Sequence, residues 1–198
     1  MTNILVLYYS RQGNTAKMAQ LIARGVEQID GANAILRCVP PVSQTTEAIE
    51  SEIPESGSPY VQKSDIIQCD GLALGSPTRF GNMAAPLKYF LEQLSDIWLS
   101  GDLNGKPACV FTSTGSLHGG QETTLLSMML PLFHQGMMLL GLPYPNTDLM
   151  TTQSGGTPYG CSHLAGTDSQ RQVDTDERAM CIYQGKRLAQ VASSLKNS

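Results

Sequence analysis

The sequence predicts an α/β protein built on one open, doubly wound sheet of five parallel strands, with helices on both faces. Three observations predict it. The chain begins with an unbroken apolar run, residues 3–9, of the kind a strand shows when both its faces are covered. Further strand-like runs alternate with segments of helical spacing, so the connections are right-handed crossovers. Three of the strands end in loops rich in Gly, Ser, Thr and Asn, where an open parallel sheet binds its ligand.

The elements follow in order. After the first strand, residues 14–29 carry Ala19, Ile22, Val26 and Ile29 on one stripe and Lys17, Gln20, Arg24 and Glu27 opposite, an amphipathic helix. A second strand fits 34–39 and is closed by Pro40 and Pro41. Residues 40–68 are polar, punctuated by Pro54, Gly57 and Pro59. The third strand is 70–77. The helix after it, 84–94, sets Leu87, Phe90, Leu91 and Leu94 on one face, with Pro86 in its first turn. The fourth strand is 107–113, and a helix over 121–133 carries Pro131, which kinks or interrupts it. The fifth strand is 137–143. A last helix, 177–195, turns Cys181, Leu188, Val191, Ala192 and Leu195 inward. Residues 144–176 lack periodicity and exceed an ordinary connection. They hold too many aromatic and apolar residues for a solvated tail, which points to an ordered insertion at an interface. No repeat or boundary divides residues 1–198, so one domain is expected.

Composition narrows the function. With 198 residues, 41% apolar and 15% charged, the chain buries a sizeable core. A net charge of −4 and no basic face argue against nucleic acid. No apolar stretch reaches the roughly 20 residues of a membrane span, and "MTNILVLYYS" reads as a strand rather than a signal peptide. Five cysteines without a Cys-x-x-Cys pair fit buried thiols in the cytoplasm, and no pattern reads as a metal site.

The three loops carry the chemistry. "SRQGNT" after the first strand is neither Gly-x-x-x-x-Gly-Lys nor Gly-x-Gly-x-x-Gly. It nevertheless suits a phosphate. Ser10, Asn14 and Thr15 offer donors, Gly13 admits close approach, and the helix start adds free N–H groups. A plain helix cap is the competing reading. "SPTRFGN" after the third strand places Arg79 and Phe80 between Thr78 and Gly81-Asn82. Phe80 reads as a ring contact or a lid on the core, Arg79 as a ligand contact or a surface charge. "STGSLHGGQE" after the fourth strand, with Gly115, Gly119 and Gly120, offers mainly backbone. A flat polar-edged ring fits between these two loops, its phosphate tail in the first.

"LYYSRQGNT", "GSPTRFGNM", "STGSLHGGQE", "HQGM" and "GGTPYGCSHLAG" together resemble the WrbA-type NAD(P)H:quinone oxidoreductases, a tetrameric branch of the flavodoxin-like family. The resemblance covers nearly the whole chain. It implies a flavodoxin-like fold with strand order 2-1-3-4-5 and bound flavin mononucleotide (FMN). It implies two-electron, ping-pong reduction of quinones by NADH or NADPH through flavin N5, which spares the cell quinone radicals, in a cytoplasmic homotetramer, a dimer of dimers. Carried over by motif, Ser10, Arg11, Gln12, Gly13, Asn14 and Thr15 hold the phosphate. Pro77, Thr78, Arg79, Phe80, Gly81 and Asn82 hold the isoalloxazine, and Ser113, Thr114, Gly115, Ser116, Leu117, His118 and Gly119 wrap its pyrimidine side. His118 contributes only its backbone. His134 reaches the flavin from a neighbouring subunit, or is a histidine at a helix end. Trp98 walls the substrate pocket across the tetramer, or is a core tryptophan. Gln12 stands where the family often has an aromatic residue against the nicotinamide, so it bears on substrate binding. Arg79 is expected to favour two-electron reduction by balancing charge on the reduced ring; no side chain need act as acid or base. The alternatives are a one-electron carrier flavodoxin and a non-enzymatic FMN-binding regulatory module.

Overall fold

A computed structural model of the chain describes residues 1–43, 53–145 and 148–197. The parts of the predicted connections that fall on 44–52 and 146–147 lie outside the described residues. β1 (Thr2–Tyr8) is an interior strand, because it pairs in parallel with both β2 (Ala32–Cys38) and β3 (Gly71–Pro77). Its unbroken apolar run has the expected cause. Ile4 and Val6 face one core with Met18, Ile22 and Leu188, while Leu5 and Leu7 face another with Ile66, Leu87 and Met128. Neither face of β1 meets solvent, and each such buried aliphatic side chain contributes about 1.5–3 kcal/mol.

Two helices cover the first face. α1 (Asn14–Val26) buries Ala19, Ile22 and Val26, as its spacing predicts. α7 (Thr175–Lys196) crosses it at two glycines: a Cβ on Gly25 would lie 2.0 Å from the Ile182 carbonyl oxygen, and one on Gly185 equally close to that of Ile22. Backbone meets backbone there, and only glycine fits. α7 starts at Thr175, two residues before the predicted start, because Asp174 accepts from the Glu177 N–H at 2.9 Å in a capping box. Leu195, predicted inward, is 43% exposed, and Met180, Gln184 and Ala189 face inward instead. The second face carries α2 (Lys63–Gln68), α3 (Ala85–Glu92), α4 (Ser95–Ser100) and α5 (Gln121–His134). The helix predicted over 84–94 ends at Glu92 and the chain restarts as α4. α5 tolerates Pro131 and runs on to His134.

β4 (Pro107–Thr114) pairs with β3, giving the order β2-β1-β3-β4-β5 of a flavodoxin-like fold. The fifth position departs from expectation. Instead of a continuous strand over 137–143, β5 is Met138–Leu139, paired with Pro107 and Ala108 only. The chain then leaves the sheet. The Leu142 N–H donates to the Pro158 carbonyl at 3.0 Å, and Gly141 packs so close to that carbonyl that a Cβ would lie 2.2 Å away. It passes through α6 (Asp148–Thr151) and returns as β6 (Cys161–Leu164), which pairs with Phe111–Thr114. Two pieces thus share one sheet position. Gln184 of α7 bridges the gap between them. Its Nε2 donates to the Val110 carbonyl at 2.8 Å and its Oε1 accepts from the Cys161 N–H at 2.7 Å, replacing a missing peptide link of the ladder. All five cysteines are free thiols, and Cys109, Cys161 and Cys181 are fully buried.

Candidate functional site

A cleft of about 210 Å³ opens beyond the carboxyl ends of the sheet. Ser10, Arg11, Gln12, Asn14 and Thr15 line it from the first loop, Pro77, Thr78 and Arg79 from the second, and Ser113, Thr114 and Gly115 from the third. The three loops singled out in the sequence therefore meet. A cleft of this size lies under the ~300–1,000 Å³ of sites that enclose a drug-sized ligand. That volume suits the tail of such a molecule rather than the whole of it.

The first loop has the character of an anion cradle. Gly13 adopts φ +86° and precedes α1 without any side-chain cap, and no acid stands in the first turn. The leading N–H groups of α1 are thus unclaimed, at the positive end of its dipole. Ser10 Oγ is buried with no hydrogen-bond partner among the described residues. A buried hydroxyl left unpaired costs about 1–3 kcal/mol, which a phosphate oxygen at this point recovers. Asn14 and Thr15 are buried; Asn14 Nδ2 donates to the Ser169 carbonyl at 3.0 Å, and its Oδ1 has no partner. The donor set fits a phosphate monoester held by amides and hydroxyls without lysine, and Ser10 does not serve as a plain cap.

The second loop is a two-residue hairpin. Arg79 and Asn82 exchange backbone hydrogen bonds at 2.7 and 3.1 Å, with Phe80 at φ 55° and Gly81 at φ 77° between them. A left-handed phenylalanine costs about 1–3 kcal/mol, and Phe80 is fully exposed. It is no lid on the core. Thr78 Oγ1 accepts from the Gly81 N–H at 3.3 Å and from Thr124 Oγ1 at 2.8 Å, which anchors the turn to α5. Arg79 Nη1 donates to the Thr78 carbonyl at 2.7 Å. The third loop presses against the hairpin: a Cβ on Gly120 would lie 2.9 Å from the Gly81 Cα. Ser116, Leu117 and His118 are exposed, and the Gly119 N–H closes a turn on the Ser116 carbonyl at 3.1 Å.

Gly13, Phe80, Gly81, Asn82 and residues 116–119 belong to these loops without lining the cleft, and two further predicted residues lie outside the loops altogether. His134 ends α5 just before β5, at the amino edge of the sheet, and Trp98 lies on α4, which leads back to the same edge. Neither lines the cleft of its own chain. Trp98 is 52% exposed, which removes the core-tryptophan reading.

A fourth loop was not foreseen. Ala165, Gly166, Thr167 and Ser169, which follow β6, complete the cleft wall. Its signal was the short run "CSHLAG" between two glycines, masked by the polar Ser162 and His163. Both side chains are buried and partnered: Ser162 Oγ donates to Gln121 Oε1 at 2.5 Å, and His163 Nδ1 meets Glu177 Oε2 at 2.7 Å. Glu177 also accepts from the N–H groups of Gly155, Leu164 and Asp174 and from Arg171 Nη1, at 2.9–3.1 Å. Burial pushes the Glu177 carboxyl up, but the His163 and Leu164 hydrogen bonds outweigh it and hold the pKa below the usual range. For Arg171 burial pulls down and the Glu177 and Asp174 carboxylates prevail, so its pKa stands above the ordinary value.

Comparison with known proteins agrees with this geometry. A family model described as NADPH-dependent FMN reductase matches residues 2–148. A protein of Acidithiobacillus ferrooxidans named NAD(P)H dehydrogenase (quinone) is 39% identical over 98% of this chain and 99% of its own. One of the same name from Geotalea daltonii is 39% identical over 97% of each. A WrbA-like flavodoxin structure from Agrobacterium tumefaciens superposes with a TM-score of 0.66 at 22% identity, over 98% of this chain and 99% of that one, which supports the fold. With a parallel sheet in the order 2-1-3-4-5, four loops around an anion cradle, and full-length similarity to proteins named NAD(P)H dehydrogenase (quinone), the chain has a flavodoxin-like fold and belongs to the NADPH-dependent FMN reductase family.

Proposed function

We propose that this protein uses FMN to reduce quinones to hydroquinones with NADH or NADPH, two electrons at a time. The observation that carries the reading is the buried, unpaired Ser10 hydroxyl at the uncapped start of α1, inside a cleft that four loops enclose. The relatives' printed name supplies the donor and acceptor classes.

When bound, FMN supplies the hydride acceptor and donor, and nicotinamide and quinone take turns over one face. The chain's own residues bind and bias. Ser10, Thr15 and the N–H groups of Gly13, Asn14 and Thr15 hold the phosphate. Thr78 through Asn82 and Ser113 through Gly119 flank the ring. Arg79, exposed at the rim, sets a cation beside the end of the ring that gains negative charge on reduction. Gln12 lies on the cleft wall, where a nicotinamide would meet an amide rather than an aromatic face. No acid or base is required, since water or the hydroquinone supplies protons.

Trp98 and His134 complete the site from other copies of the chain in a homotetramer, a dimer of dimers in the cytoplasm. The support is that neither reaches its own cleft, while Leu99, Leu130 and Phe133 expose 59–77% of their surface around them. The insertion around 144–176 contributes to the same contacts with Tyr144 and Met150. The test is to add FMN to the apoprotein and follow NADH and NADPH oxidation with and without benzoquinone. Quinone-dependent oxidation that needs FMN supports the reading; a protein that binds FMN but turns over neither donor refutes it.

A further inference from the structure

We propose that Glu177, with Arg171, is a positioning residue for cofactor binding: one buried carboxylate clamps both ends of the fourth cleft loop. The proposal rests on the reading that the cleft holds FMN.

Glu177 lies on α7, is 1% exposed, and never reaches the cleft. A carboxylate offers about four lone-pair sites. Here five donors converge on it: His163 Nδ1, Arg171 Nη1, and the N–H groups of Gly155, Leu164 and Asp174. A helix-capping role accounts for the Asp174 N–H alone. Two of the others bracket the loop: Leu164 stands immediately before Ala165, and Arg171 two residues past Ser169. Arg171 doubles the closure. Its Nη1 donates to the Leu164 carbonyl at 2.8 Å, and its backbone N–H donates to the Ala165 carbonyl at 3.0 Å.

The far side of the loop is tied to the anion cradle. Ser169, at a left-handed φ of 60°, accepts from Asn14 Nδ2 at 3.0 Å. The chain from Glu177 to the cradle is thus continuous: carboxylate, loop base, Ser169 carbonyl, Asn14 at the start of α1. A loop of five residues containing Gly166 has little stiffness of its own, and no long secondary element holds it. Removing the charge at Glu177 leaves the partly exposed Arg171 and two backbone N–H groups poorly paired. The loop is then free to leave the geometry in which Asn14 is oriented toward the phosphate.

The test uses the whole chain and four proteins: wild type, Glu177→Gln, Arg171→Gln and Leu188→Ala. Arg171 is partly exposed, so its variant keeps the proposal testable if Glu177→Gln does not fold. Leu188 is buried on the same helix, far from the loop in sequence, and its truncation lowers stability without touching the clamp. FMN affinity is measured by quenching of flavin fluorescence, thermal stability by calorimetry, and amide hydrogen exchange on the apoprotein. The expected result is an FMN Kd raised about tenfold or more in both clamp variants, and exchange at 164–171 faster by a similar factor. Turnover at saturating FMN stays near wild type, and Leu188→Ala loses stability with unchanged affinity. Unchanged affinity or unchanged loop exchange in the clamp variants overturns the proposal. So does an equal loss of affinity in Leu188→Ala. Failure of the wild type to bind FMN refutes the cofactor reading separately, while the exchange on apoprotein still decides whether Glu177 fixes the loop.

Discussion

At the cradle end of the cleft the polar groups are buried and held by the chain itself, whereas at the hairpin end Phe80 and Arg79 stand in solvent. Asn14 and Thr15 are fixed by α1, Ser10 Oγ waits unpaired, and Ser169 closes the side. Phe80 has no cover at all. On the proposed reading, the contrast follows from what each end would bind. A phosphate demands fixed dipoles, because donors that must reorganise lose most of their advantage. A ring that receives two different substrates in turn needs an open face. On that reading the cradle builds affinity, and the hairpin sets chemistry and selectivity.

The largest expected effect tests the cradle. Replacing Ser10 and Thr15 together by alanine removes two hydrogen bonds to a charged group, about 3 kcal/mol in sum, or roughly 100-fold in FMN Kd. Thermal stability should change little on account of Ser10, which has no partner to lose among the described residues. Fluorescence titration against FMN checks it, and unaltered affinity would show that the two ends do not divide the work as argued.

Next in size is the assembly proposed to complete the open end. Phe133→Asp places a charge in the exposed apolar strip of α5, where Leu126, Leu130 and Phe133 face outward. A charge buried in such a contact costs about 2 kcal/mol or more. Light scattering should show a smaller species with quinone turnover about tenfold lower, while FMN affinity stays within about twofold. An equal fall in flavin affinity would mean that the cradle, too, depends on other copies.

These contrasts were unevenly legible in the sequence. The cradle was visible because a continuous apolar strand, an abrupt polar stretch with glycine, and a helical stripe follow one another directly over residues 3–29, all local signals. The hairpin's position was visible, but not its left-handed Phe80, since nothing in "TRFGN" disfavours a phenylalanine in a core. The fifth sheet position was not legible. Hydrophobic patterning cannot show that Met138–Leu139 and Cys161–Leu164 share one neighbour strand. β6 was hidden because Ser162 and His163 are polar, and they are tolerated inside only because Gln121 and Glu177 meet them from distant helices. The fourth loop was lost with its strand. α2 escaped for a related reason: six residues hold it, through a capping box of Gln62 and Asp65, too short for periodicity to register.

A smaller effect is expected at Arg79. Its guanidinium is exposed, and a solvent-facing charge interaction contributes up to about 1 kcal/mol, equivalent to roughly 20 mV for a two-electron couple. Arg79→Gln should lower the flavin's two-electron potential by about that much in a potentiometric titration and raise the share of one-electron-reduced flavin. A wild-type titration dominated by long-lived one-electron-reduced flavin would remove the role given to Arg79 and favour the electron-carrier reading.

The smallest effect has the most informative sign. Phe80 and Gly81 form the centre of a two-residue hairpin with both φ values positive, the turn that Asn-Gly satisfies best. Phe80→Asn should therefore stabilise the apoprotein by about 0.5–1 kcal/mol, since strain is relieved and an aromatic ring in full contact with water forfeits no burial. In a chain of 198 residues that is a rise in Tm of about 1–4 °C. The same change should weaken FMN binding, because the aromatic face is lost where the ring lies. Stability and affinity moving in opposite directions is the signature of a residue kept strained for a ligand. A fall in apoprotein Tm would mean that Phe80 already supports the fold, and the open end of the cleft would then resemble the cradle more than the geometry allows.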